Sequence, residues 1–269
     1  LPRPETASIE STLRRGADAG RTDRLDVALR AFAGAAGGDR LPELAAIRAS
    51  GDEVEVLLGQ PAATTPPGFE DRGDHRAFAT QAGLADDVLI ALAGDTPPPW
   101  PTVVAAGQLG DDTVLIDLES AGVLMIDGEG AVSTVRRMVT ELASSPISDL
   151  IDIVVVGERM ELSGSDRIRS VDSVEDGLDL LELARNTSRE SLTQLGDADT
   201  PTARLTHSAE HGWGVTILVS LDDFTPAQSD RLMSFAAPRS GMAALLLGSP
   251  LGEGSWSLTV NDRVLLRPH

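Results

Sequence analysis

The chain has 269 residues, 41% of them hydrophobic, and a formal net charge of -20 that sets 42 acidic residues against 22 arginines. It holds no Lys, Cys or Tyr, which excludes Schiff-base lysines, thiolate nucleophiles, cysteine metal sites and phenolic acids. Such an acidic surface repels a duplex phosphate backbone, and 3% aromatic content offers few platforms for stacked bases, so no nucleic-acid partner is expected through this region.

From Thr6 to Ala36, Leu25, Ala28, Leu29 and Phe32 recur at helical spacing, which predicts a helical hairpin broken near Gly16 to Gly20. Glu53 to Leu58 alternates polar and apolar residues as a half-buried strand does, and the proline-rich run Pro61 to Pro67 ends it. Residues 70–95 carry a weaker pattern, with an element expected at Asp87 to Leu92. Pro97-Pro98-Pro99-Trp100-Pro101 rules out a helix interior or a central strand. This cluster reads as a rigid connector and a domain boundary. Residues 1–99 are then a smaller α+β subdomain, a helical hairpin plus short strands, and residues 100–269 an α/β domain.

Beyond the cluster, apolar strands alternate with amphipathic helices. Strands are predicted at Thr113 to Leu118, Val123 to Ile126, Ile151 to Val156, Val215 to Leu221 and Met242 to Leu247. Between them lie a helix over Ala131 to Ser145, with Val132, Val135, Val139 and Leu142 on one face, and a long helix over Val174 to Leu195. Another helix opens at Thr225-Pro226-Ala227-Gln228, an N-cap, an N1 proline and a capping-box Gln. Trp256 to Val260 and Val264 to Leu266 form a closing hairpin across Asn261-Asp262. Buried runs separated by helices predict the α/β class: a mostly parallel sheet with helices on both faces.

No stretch reaches the roughly 18–20 apolar residues of a membrane span, and no direct membrane insertion is expected of this segment. The start at Leu1 lacks an initiator Met and a signal pattern, and reads as a cut from a longer polypeptide.

The turn Asp127 to Ser133 stands where open α/β sheets bind ligands, between a strand's carboxyl end and a helix N-terminus. A phosphate loop places Lys six positions after its first Gly and a magnesium-binding Ser or Thr next. Counting from Gly128, Val132 is only four on and Ser133 follows it, so the turn is two residues short as well as lacking Lys. Gly128, Gly130 and Ser133 are therefore weak candidates for a nucleotide, and a tight structural turn is expected. Asp222 and Asp223 end an apolar strand as magnesium-holding acids do, yet without a phosphate loop they read as a polar turn that favours the next helix N-terminus. His207-Ser208-Ala209-Glu210-His211 spells H-x-x-E-H, but Pro201, Gly212 and Gly214 leave little room for the helix that a zinc site needs. No metal site is expected, and no serine elbow occurs. Asn186-Thr187-Ser188 is a sequon inside a predicted helix.

Trp100-Pro101-Thr102-Val103-Val104, Gly107-Gln108-Leu109-Gly110-Asp111-Asp112, Val114-Leu115-Ile116-Asp117-Leu118-Glu119 and Gly122-Val123-Leu124 resemble the central region of large actinobacterial proteins. Those proteins combine a LysM-type domain, membrane helices and a bacterial transcriptional activator domain (BTAD). The pattern from Asp117 to Leu142, with Asp222-Asp223 at an acidic strand end, is remotely similar to FtsK/HerA-type ATPases, including those of type VII secretion. These resemblances imply a RecA-like core with a degenerate P-loop, in a cytoplasmic segment of a membrane-anchored, regulatory or secretion-associated protein.

The expected function is a non-catalytic interaction or regulatory domain without cofactor, catalytic residue or metal, whose partner is a protein or another domain of the same polypeptide. The alternative is a nucleotide sensor or weak NTPase whose anion site is built from Arg136, Arg137 or Arg239.

Overall fold

The structure is a computed structural model that describes residues 19–38, 40–145, 150–157, 167–207, 213–249, 251–261 and 264–268. It contains two sheets.

The first is built from β1 (Leu44–Ser50), β2 (Glu53–Leu58), β3 (Phe69–Gly73), β4 (Ala77–Thr80), β5 (Val103–Leu109) and β6 (Asp112–Asp117), in the order β3-β4-β2-β1-β6-β5. Every pair in it is antiparallel. Helix α1 (Ala19–Ala36) and helix α2 (Asp86–Ala93) accompany it. The first arm of the expected hairpin lies outside the described residues, while Ala19 and Gly20, placed in its break, are inside α1. Leu25, Ala28, Leu29 and Phe32 are buried, as their spacing requires. The Phe32 ring lies 5.3 Å edge-on from Phe69, 5.6 Å from Phe78 and 6.5 Å from Trp100, and such pairs add about 0.5–1.5 kcal/mol each beyond the area they bury.

Trp100 is thus a core residue of the first sheet, and the strands after the proline cluster pair into that sheet, not the second. The sheets divide between Asp117 and Val123, at the short helix α3 (Leu118–Ala121). The reason lies in the packing of β5 and β6. Val103 and Leu115 face the α1 cluster, while Val104 and Ile116 face the core of the second sheet. Strands buried on both faces read as continuous apolar runs, the same pattern that marks strands of a parallel sheet.

The second sheet takes β7 (Val123–Asp127), β8 (Ile151–Val156), β9 (Ile168–Val171), β10 (Val215–Ser220), β11 (Met242–Leu247), β12 (Trp256–Val260) and β13 (Val264–Pro268), in the order β13-β12-β7-β11-β10-β8-β9. Only β13 runs antiparallel to its neighbour. Helix α4 (Ala131–Ser144) packs Val135, Met138, Val139 and Leu142 on one face against Ile126, Ile153, Ile217 and Leu245. On the other face, α5 (Val174–Leu195) and α7 (Pro226–Phe235) pack Leu178, Leu181, Leu232 and Phe235 against Val123, Val154, Leu218 and Met242. The fold is α/β with a mostly parallel sheet and helices on both faces. Val132, expected on the buried stripe of α4, is 39% exposed, and Ala131, Thr134 and Met138 complete that stripe instead. The capping box of α7 forms in full: Thr225 Oγ1 accepts the Gln228 N–H at 3.3 Å and Gln228 Oε1 accepts the Thr225 N–H at 2.8 Å.

A buried polar seam joins the sheets around α3 and α6 (Thr200–Thr206). Glu119 and Arg204 pair at 2.7 Å with side chains 0% and 2% exposed. The other Glu119 oxygen accepts the Gly241 N–H at 2.9 Å and the Thr200 hydroxyl. Arg239 Nε donates to Asp199 at 2.9 Å, and its two terminal nitrogens donate to the Pro42 and Leu41 carbonyls at 3.0 and 2.7 Å. No described helix is long and apolar enough to cross a membrane.

Candidate functional site

After β7 the chain moves across the sheet to β8 and β9, returns through β10 and β11, then passes to the other side of β7 as β12. The carboxyl end of β7 is therefore a switch point, the general ligand position of open α/β sheets. Asp127 to Ser133 lies there, as the sequence places it.

The turn closes on itself and on the end of β12. Gly128 adopts φ 95°, a conformation that favours glycine. The Ala131 N–H donates to the Gly128 carbonyl at 3.1 Å, and the Ser133 hydroxyl donates to the Gly130 carbonyl at 2.9 Å. Two further amides point at the neighbouring strand end: Gly130 N–H donates to the Val260 carbonyl and Glu129 N–H to Asn261 Oδ1, each at 3.2 Å. A Cβ on Gly128 would lie 2.4 Å from the Val260 carbonyl oxygen, and one on Gly130 2.7 Å from Val260 Cγ1. The glycines thus admit a protein strand at the place where a phosphate loop admits phosphate. Asp127 adds a buried Oδ1 with no hydrogen-bond partner among the described residues, which opposes any anion.

Asp222 and Asp223 follow β10 on the same carboxyl edge and are exposed. Strand β11 separates β10 from β7, which places the acids roughly 10 Å along the sheet from the turn at the usual strand spacing. The Asp222 carboxylate leans on Gly157 instead: a Cβ there would meet Oδ2 at 2.3 Å. The two candidate groups share an edge without converging.

Two of the three arginines of the alternative reading, Arg137 and Arg239, are engaged elsewhere. Arg239 is 5% exposed and held in the seam. Arg137 donates to Glu141 at 3.1 Å and to the Ala105 carbonyl at 2.6 Å, while Glu141 accepts the Ala105 N–H at 3.0 Å. The pair satisfies the outer edge of β5, the last strand of its sheet, and so blunts an edge that could recruit another chain. Burial pushes the Glu141 carboxyl above the ordinary carboxylate range and the Arg137 guanidinium down. Arg136 is exposed on α4.

His207 Nε2 lies 3.2 Å from Asp197 Oδ2; the rest of the H-x-x-E-H motif lies outside the described residues. No group of three His, Cys, Asp or Glu side chains among the described residues is arranged to hold a metal. The sequon at Asn186 sits on α5, as predicted. A cleft of about 700 Å³ opens beside α1, lined by Arg24, Asp52, Gln81 and Asp86 among others. Arg24 there is already bonded to the Asp52 carbonyl at 2.6 Å, the Leu84 carbonyl at 3.0 Å and the Asp86 carboxylate. Val260 and Asn261 carry no local signal in the sequence, because their role depends on a pairing of β12 with β7 across more than a hundred residues.

No family model and no curated protein matches the sequence. Among solved structures, the chain is similar to the monomer form of the pCW3 conjugation coupling protein TcpA with ATPγS, at 14% identity and TM-score 0.45, covering 88% of this chain and 82% of that one. It is similar to ATPases 2 and 3 of Thermomonospora curvata EccC in complex with a signal sequence peptide, at 17% identity and TM-score 0.40, covering 59% and 33%. It is also similar to the cytoplasmic domain of EssC, at 13% identity and TM-score 0.40, covering 60% and 36%.

Proposed function

We propose that this chain is a non-catalytic interaction or regulatory module on the cytoplasmic side of a larger membrane-anchored, secretion-associated or regulatory protein. The observation that carries the reading is the closed turn at the switch point, where the Glu129 and Gly130 amides are bonded to Asn261 and Val260. A nucleotide phosphate would need those donors, a cation and two more residues of loop. Instead it would meet Asp127, Glu129 and a bound strand end. The module keeps a rigid α/β frame and presents its surface to a protein partner or to neighbouring domains.

Titration calorimetry with Mg-ATP and Mg-GTP tests the reading, with no saturable heat expected. Micromolar binding that Asp222→Asn abolishes would overturn it.

A further inference from the structure

Six charged residues are buried among those described, and five of them, Asp117, Glu119, Asp199, Arg204 and Arg239, lie in the seam between the sheets. The balance there is three carboxylates to two guanidiniums. Arg204 serves Glu119, and Arg239 serves Asp199 with help from Arg40. Among the described residues Asp117 receives only neutral donors: the Thr102 hydroxyl at 2.5 Å, and the Ser120 hydroxyl and N–H at 2.7 and 3.0 Å.

Among the described residues, the groups around Asp117 are acidic or neutral. Glu119 shares α3 with it, and a cavity of about 10 Å³ beside it is lined by Ser120, Trp256 and Leu266 among others; the exposed Glu43, which also borders that cavity, turns its carboxylate to Gly59 instead. Thr102, from the start of β5, is neutral, and Arg204 and Arg239 reach this corner only through Glu119 and its backbone. Asp117 also occupies the mechanical joint, as the last residue of β6 and the N-cap of α3, where the chain leaves one sheet for the other.

We propose that Asp117 makes this joint proton-operated: with its carboxyl neutral the two sheets are held tightly, and with it ionised the α3 connection loosens. Burial, and then the Glu119 charge, raise the Asp117 pKa above the ordinary carboxylate value. A folded-state pKa above the unfolded one means that ionisation costs stability. The cost is absent below the unfolded pKa and complete above the folded one, so acidification through that interval strengthens the joint. Each unit of raised pKa reads as about tenfold in the folding equilibrium between the two ends of the interval. The device is independent of whether the Gly128 turn binds anything.

The test compares the whole chain with Asp117→Asn by denaturation from the ordinary aspartate value of 3.8 up to about pH 8. Alongside it, amide exchange is followed at Ser120, Gly122 and Gly241, whose N–H groups bond to Asp117, Leu118 and Glu119. The variant is expected to be the more stable at the alkaline end, with the gap closing on acidification. Exchange at the three amides, corrected for intrinsic rate, should quicken toward alkaline pH in the native chain only. A gap independent of pH, or a variant less stable throughout, overturns the proposal. If the variant does not fold, carboxyl carbon resonances of the native chain decide: Asp117 should titrate above the ordinary aspartate value of 3.8, and titration at or below that value overturns the proposal.

Discussion

The side chain of Asn261 accepts the backbone N–H of Glu129 at 3.2 Å, tying the end of β12 to the turn after β7. One short hydrogen-bonded bridge thus occupies the position from which a phosphate loop works. Restoring a lysine does not reverse this. In Val132→Lys the new amine starts from a side chain 39% exposed on α4, above a turn still two residues short. The variant, alone or combined with Asn261→Ala, is expected to release no phosphate from ATP beyond the native background. Measurable turnover would refute it.

Gly128 and Gly196 both have positive φ, 95° and 79°, but only Gly128 has an atom in the path of a Cβ. An alanine at Gly196 meets nothing within 4 Å and should cost about 1 kcal/mol in backbone strain alone. Gly128→Ala adds a collision with the Val260 carbonyl and should cost some 1–3 kcal/mol more, as β12 is pushed off the turn. Chemical denaturation of the two variants measures the difference, and equal costs would show that β12 does not press on the turn.

Removing one member of a buried ion pair leaves a charge without a partner, at about 3–5 kcal/mol. Arg204→Met should destabilise by that order, since Glu119 would keep only neutral donors. Glu119→Gln/Arg204→Met together should recover a substantial part. A single variant costing no more than an exposed pair, below about 1 kcal/mol, would contradict the buried geometry.

Arg137 and Glu141 occupy the hydrogen-bonding groups of Ala105 that another strand would use. In Arg137→Ala/Glu141→Ala those groups face outward. The variant is expected to associate with rising concentration in light scattering while the native chain does not. A variant with the native mass at every concentration would mean that the β5 edge is guarded by something else.

The local layout was largely legible in the sequence because its signals are short in range. The Val174–Leu195 helix, the Ile151–Val156 strand and the Thr225 capping box follow from spacing and cap chemistry within a few residues. The partnership of β5 and β6 was not legible, because apolar residues on both faces leave no alternation to tell which sheet a strand joins. Their placement is decided by Ile47 and Leu115 meeting across β1 and β6. At the candidate site, the missing lysine and the short spacing were visible, while the closure by Asn261 was not. Arg137 and Arg239 looked available in sequence because nothing local shows a guanidinium committed to a distant carbonyl.

Trp100 lies at 0% exposure within the Phe32 cluster, inside the proline run and separated from β1 by three of its prolines. A protease nick or a cloning boundary at those prolines would therefore not release two self-sufficient halves. The upstream piece would lose an aromatic wall and the β6 neighbour of β1; the downstream piece would carry β5 and β6 as an orphan hairpin with sticky apolar sides. Anyone dividing this protein should expect insoluble fragments from that cut, however clearly the prolines advertise it.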